Sequence, residues 1–141
     1  MKVFLDTNVL ISGIFFPGNE ARVLSLPNLE LVTSETVVNE LKAVAAGKFA
    51  ALKVEAKRIA FSQIEKALTD IKIVEEKETF EWKEEASHLV EGENDRKILA
   101  AVLSCRPDCF LTGDRHFHIP SVKKRVEVKY ARELLRELRA I

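Results

Sequence analysis

The strongest constraint on this chain is its alternation of short apolar runs with longer stretches of helical pattern. The runs fall at Lys2–Leu5, Leu29–Val32, Ile71–Val74, Cys109–Thr112 and Glu127–Lys129. Most are apolar at successive positions rather than at every second one, as in strands covered on both faces. Between them, Glu35–Ala46 follows Ser34 as a cap and stops near Gly47, with Val37, Val38, Leu41, Val44 and Ala45 on one stripe. A helix over Leu52–Leu68 presents Val54, Phe61, Ile64 and Leu68, and another over Thr79–Val90 centres on Trp82, Ala86 and Leu89. Asp95–Ser104 carries Ile98, Leu99, Val102 and Leu103 and halts before Pro107, with Asn94 as its cap. Tyr130–Leu138 forms the last helix. Strand–helix alternation of this kind predicts an α/β sandwich around a mainly parallel, roughly five-stranded sheet.

A chain of 141 residues suits one domain spanning 1–141. Lys+Arg number 22 and Asp+Glu 22, so no global positive field draws in nucleic acid. Two cysteines make no disulfide framework and fit a reducing cytoplasm. The apolar run Val9–Phe16 is too short for a membrane span, and it follows Asp6 rather than a basic stretch. A cytoplasmic protein without membrane association is expected.

In open parallel sheets, ligands bind beyond the carboxyl ends of the strands. Asp6 follows the first run directly, and Asp114 lies just past the fourth. Each is equally readable as a helix cap or turn residue. Asp95 is harder to dismiss, because it stands three, four and seven residues before Ile98, Leu99 and Val102, on the apolar stripe. Glu40 sits on the shoulder of its stripe, where acids are commonly solvated. Carboxylates converging at one sheet edge repel one another unless a cation neutralises them. Oxygen donors select hard ions such as Mg²⁺ or Mn²⁺, and such a pocket activates water against a phosphodiester.

Four segments resemble the motifs of PIN (PilT N-terminal) domains, in the family's order. They are Phe4-Leu5-Asp6-Thr7-Asn8-Val9, Thr36-Val37-Val38-Asn39-Glu40-Leu41, Asn94-Asp95-Arg96-Lys97-Ile98-Leu99, and Leu111-Thr112-Gly113-Asp114-Arg115-His116-Phe117. The resemblance implies a three-layer α/β/α fold and Mg²⁺- or Mn²⁺-dependent cleavage of RNA by a ribonuclease. It also implies the toxin role in a toxin–antitoxin pair, with an antitoxin protein as partner, and a homodimer. It places the metal-binding and catalytic roles on Asp6, Glu40, Asp95 and Asp114, with Asn8 and Thr112 in support. Glu40 then acts through water, while Thr7 is either turned into the pocket or an ordinary turn residue. Many relatives carry a further acid where this chain has His116, and some have Asp where it has Asn94. Those departures keep a second reading open: a non-catalytic PIN-like module that binds RNA or protein.

Other signals are weaker. Cys105, Cys109, His116 and His118 lack the paired spacing of a zinc site. Lys123-Lys124-Arg125, with Arg115, Arg96 and Lys97, reads as solvated surface, with an RNA-backbone contact as the alternative.

Overall fold

Five strands pair in parallel: β1 (Lys2–Leu5), β2 (Glu30–Ser34), β3 (Lys72–Val74), β4 (Cys109–Leu111) and β5 (Val128–Lys129). The structure, a computed structural model, describes residues 1–139. Strand order is β3-β2-β1-β4-β5. The chain therefore builds outward from β1 in one direction, then returns and builds in the other. That reversal between β1 and β4 opens a crevice beyond their carboxyl ends. Val3, Phe4 and Leu5 are all fully buried, as are Cys109, Phe110 and Leu111. Successive buried residues require cover on both sheet faces, and the flanking helices complete a three-layer α/β/α sandwich.

The helices are α1 (Thr7–Phe15), α2 (Asn19–Ser25), α3 (Glu35–Lys48), α4 (Val54–Leu68), α5 (Lys83–Ser87), α6 (Glu93–Cys105), α7 (Pro120–Lys123) and α8 (Ala131–Glu137). α1 packs against α2, α3 and α4, and α6 packs against α5 and α3. Gly13 allows α2 to lie close on α1, since a Cβ there would meet Leu24 Cδ1 at 2.5 Å. Among the described residues, no helix is long and apolar enough to cross a membrane.

Local structure departs from the sequence expectation at several points. Thr79–Val90 is not one helix but a 3₁₀ helix over Glu76–Trp82 followed by short α5. The Thr79 and Ser87 hydroxyls donate to the carbonyls of Glu76 and Glu84, competing with a regular helical ladder. α3 runs through Gly47 to Lys48, where Phe49 caps it and packs on Phe15 with ring centroids 5.0 Å apart. α6 begins at Glu93 with Gly92 as its cap, leaving Asn94 exposed in the first turn. On α4 the buried stripe is Ala60, Ile64 and Leu68, whereas Val54 begins the helix and is 73% exposed. α2 and α7, absent from the sequence expectation, are each under eight residues and show little periodicity.

Candidate metal centre

The backbone N–H of Asp6 donates to the Leu111 carbonyl at 3.1 Å, carrying the β1–β4 ladder one residue past the strand. This places the Asp6 side chain opposite Thr112. Oδ1 of Asp6 accepts from the Thr7 backbone at 2.8 Å, capping α1, while Oδ2 accepts from the Thr112 hydroxyl at 2.5 Å. Asp6 is thus both cap and pocket residue. It is only 3% exposed. Burial pushes its carboxyl from 3.8 up to about 6. The bonds from Thr112 and Thr7 oppose that rise, and the charges of Glu40 and Asp114 add to it.

Thr112 is fully buried just beyond β4. Its hydroxyl, having donated to Asp6, accepts the Asp114 backbone N–H at 3.0 Å. One side chain therefore ties two acids together. His118 Nε2 donates to the Thr112 carbonyl at 2.7 Å, and its ring stacks on Tyr130 at 3.9 Å. Asp114 Oδ1 accepts the backbone N–H of His116 at 2.9 Å and lies 3.0 Å from that residue's Nδ1.

Asp95, in the first turn of α6, brings Oδ2 to 3.7 Å from the same Nδ1. Partial burial raises its carboxyl, as do the charges of Asp114 and Glu40, while His116 works against them. Gly92 makes room for it, because a Cβ there would stand 3.2 Å from Asp95 Oδ2. Glu40 is half-buried on α3, near enough for its charge to be felt by both Asp6 and Asp95. Asn8 is exposed in the first turn of α1, and no hydrogen bond joins its side chain to an acid among the described residues. The Thr7 hydroxyl is buried beside Asp6 without a hydrogen-bond partner among those residues.

A cleft of about 520 Å³ opens on one side of Asp95, lined by Leu89, Val90, Arg115, His116 and Ile119. A second recess of about 330 Å³ contains Glu40, Asn39, Asn94 and Lys97. Three of the basic residues are engaged, and Arg125 lies away from the crevice, beside Arg106 and Pro107 ahead of the amino ends of β4 and β5. Arg96 Nε donates to the Val90 carbonyl at 2.9 Å, Lys97 lies 4.0 Å from both Glu76 and Glu93, and Arg125 pairs with Glu85. Burial holds the Cys105 thiol up at about 11 and that of Cys109 at about 12, so neither is a thiolate near neutral pH.

The donor set suits a divalent cation. Ligand atoms of Asp95, Asp114 and His116 lie within 4.8 Å of one another, while Asp6, outside that group, is tied through the Thr112 hydroxyl to the backbone N–H of Asp114. Burial first, and the charges of the neighbouring acids after it, raise Asp6 and Asp95 toward their protonated forms, and a cation would relieve the repulsion.

A family profile for the PIN domain matches residues 2–116. The chain belongs to the PIN domain family. Among solved structures, the PIN domain here is similar to VapBC2 from Rickettsia felis bound to a DNA fragment from their promoter. That match has TM-score 0.70 and 20% identity, covering 92% of this chain and 98% of that one. VapBC-1 from nontypeable Haemophilus influenzae matches with TM-score 0.65 and 22% identity over 94% of this chain and 99% of that one. FitAcB from Neisseria gonorrhoeae matches with TM-score 0.61 and 21% identity over 92% and 97%. At these identities the likeness is one of fold. Among curated protein sequences none matches significantly.

Two residues at this PIN-domain edge escape a reading of the sequence. His118 is legible there only as a loop residue, because its partner is a backbone carbonyl six positions back. His116 is visible as a departure from the motif, but its approach to Asp95 is set by the packing of α6 against the sheet.

Proposed function

We propose that this PIN domain is a metal-dependent endoribonuclease, hydrolysing RNA phosphodiester bonds through an acidic Mg²⁺ or Mn²⁺ centre. The observation that carries this reading is the Thr112 bridge, which holds Asp6 and Asp114 together at the β1–β4 crevice with Asp95 facing them across His116. A surface that merely bound RNA would gain nothing from clustered negative charge. Asp6, Asp95 and Asp114 would ligate the ion directly. A divalent ion there supplies Lewis acidity and offsets the charge gathering on the phosphate. Glu40, across the site on α3, orients the attacking water and takes up its proton. Thr112 keeps the Asp6 carboxylate in one orientation, the kind of support that sets ligand geometry. Asn8, exposed in the first turn of α1, would reach the pocket from its rim. Arg115 is exposed on the cleft wall and suited to a phosphate contact.

Many PIN domains are the toxins of toxin–antitoxin pairs, and the same role is proposed here, with an antitoxin protein as partner, a homodimer as the working assembly and the cytoplasm as its place. The test is cleavage of a mixed panel of labelled single-stranded and structured RNAs, with Mn²⁺, Mg²⁺ or EDTA. Cleavage that needs a divalent ion and falls about 100-fold or more in Asp6→Asn and Asp114→Asn is the expected result. Folded protein that cleaves nothing with either ion would sink the enzymatic reading and favour a non-catalytic binding module.

A further inference from the structure

We infer that His116 is itself a metal ligand, and that its imidazole turns the centre toward first-row transition ions such as Mn²⁺ and away from Mg²⁺. The inference rests on the metal centre proposed above and goes beyond it. The sequence places a histidine where an acid is common in the family, and the structure shows where that side chain stands.

Its Nδ1 stands 3.0 Å from Asp114 Oδ1 and 3.7 Å from Asp95 Oδ2. Donors held about 2.1 Å from one ion stand about 3 Å apart when adjacent and about 4.2 Å apart when opposite. Nδ1 stands at the adjacent spacing from Asp114 and between the two spacings from Asp95, and the three ligand atoms all lie within 4.8 Å of one another. The ring is also steered into place. The His116 backbone N–H donates to the same Asp114 oxygen at 2.9 Å, so residue and acid are clasped at two points. Phe117, next in the chain, is buried against Phe110 with centroids 4.9 Å apart and anchors the turn from below. The His116 side chain is 77% exposed, so packing does not explain where its ring lies. An exposed imidazolium–carboxylate pair contributes little by itself.

Exchanging a carboxylate for imidazole changes selectivity through two physical terms. A neutral nitrogen donor removes one negative charge from a crowded centre, easing the repulsion between Asp95 and Asp114. It also replaces a hard oxygen with a donor that transition ions accept readily, whereas Mg²⁺ favours oxygen and keeps its waters.

The test is calorimetric titration of the full chain with Mn²⁺ and with Mg²⁺, in wild type, His116→Ala and His116→Asp. Pulsed electron paramagnetic resonance of bound Mn²⁺ reads nitrogen coupling directly. Expected are tighter Mn²⁺ than Mg²⁺ binding and a ¹⁴N coupling in wild type. In His116→Ala, Mn²⁺ affinity should fall about 10-fold or more, with the coupling lost and Mg²⁺ affinity little changed. His116→Asp should recover Mg²⁺ affinity at the expense of the preference for Mn²⁺. Mn²⁺ bound without nitrogen coupling, and equally well in His116→Ala, would overturn the role of His116 while leaving the carboxylate centre standing. Wild-type protein that binds neither ion would overturn both. The ring is exposed, so its replacement leaves the core intact, and far-ultraviolet circular dichroism checks that the variants are folded.

Discussion

Asp6 bears two duties whose demands on its carboxyl conflict. As the cap of α1 and acceptor from Thr112 it favours the charged form, yet burial favours the neutral one, and burial dominates. With the folded value at about 6 against 3.8 when unfolded, the folded state keeps this proton to higher pH. The stability contributed by protonating Asp6 is therefore whole below about pH 3.8 and lost as pH rises through about 6. Asparagine caps a helix as well as aspartate and carries no charge to bury. In EDTA-treated protein, Asp6→Asn should melt higher than wild type at neutral pH, by roughly 4 °C for each kcal/mol relieved, and the gap should close in acid. Thermal melts across that range decide it, and a variant that melts lower at neutral pH would contradict the account. Asp6 itself is plain in the sequence, since an acid directly after an apolar run is conspicuous. Its partner Thr112 is legible only through the family resemblance, because the hydrogen bond spans 106 residues.

Among the elements, the segment from β4 to α7 matters most, for it carries Thr112, Asp114 and His116 on a short irregular path. Its rigidity comes from below. Phe117 meets Phe110 edge to face, and Phe110 meets Phe4 of β1 at 5.5 Å and 88°. Phe117→Ala should cost about 3–5 kcal/mol in urea unfolding and weaken metal binding in the fraction that stays folded. Phe117→Leu, which keeps most of the volume, should cost well under half as much and retain binding. Equal losses in the two variants would show that the segment does not depend on this packing. Periodicity identifies α3 and α6 well, because Val37, Val38 and Leu41, and Ile98, Leu99, Val102 and Leu103, are buried as their spacing demands. It fails at Thr79–Val90, where a 3₁₀ helix gives way to a short α-helix at Lys83 and the Thr79 and Ser87 hydroxyls bond to nearby carbonyls. A hydrophobic stripe does not register that competition.

Across the whole molecule, the acids arrive from four separate parts of the chain: the end of β1, the middle of α3, the first turn of α6 and the loop after β4. An ion ligated by Asp6, Asp95 and Asp114, with Glu40 on its water, would cross-link the fold and bind the unfolded chain poorly. Saturating Mn²⁺ at about 100 times its dissociation constant should add about 2.7 kcal/mol to stability. The corresponding rise in melting temperature should disappear with EDTA and be largely absent in Asp114→Asn. A wild-type melt indifferent to Mn²⁺ would show that the ion does not span these elements. The alternation of strand and helix, the parallel character of the sheet and the placement of Asp6, Asp95 and Asp114 at element ends are all written in local periodicity and capping chemistry. Local pattern is silent on which strands become neighbours. The order β3-β2-β1-β4-β5 sets β1 beside β4 and so joins Thr112 to Asp6, while the packing of α6 brings Asp95 to His116. Those pairings come from tertiary packing, because a contact between residues a hundred positions apart is selected by the burial and backbone pairing of the whole sheet, and no window of the chain contains both partners.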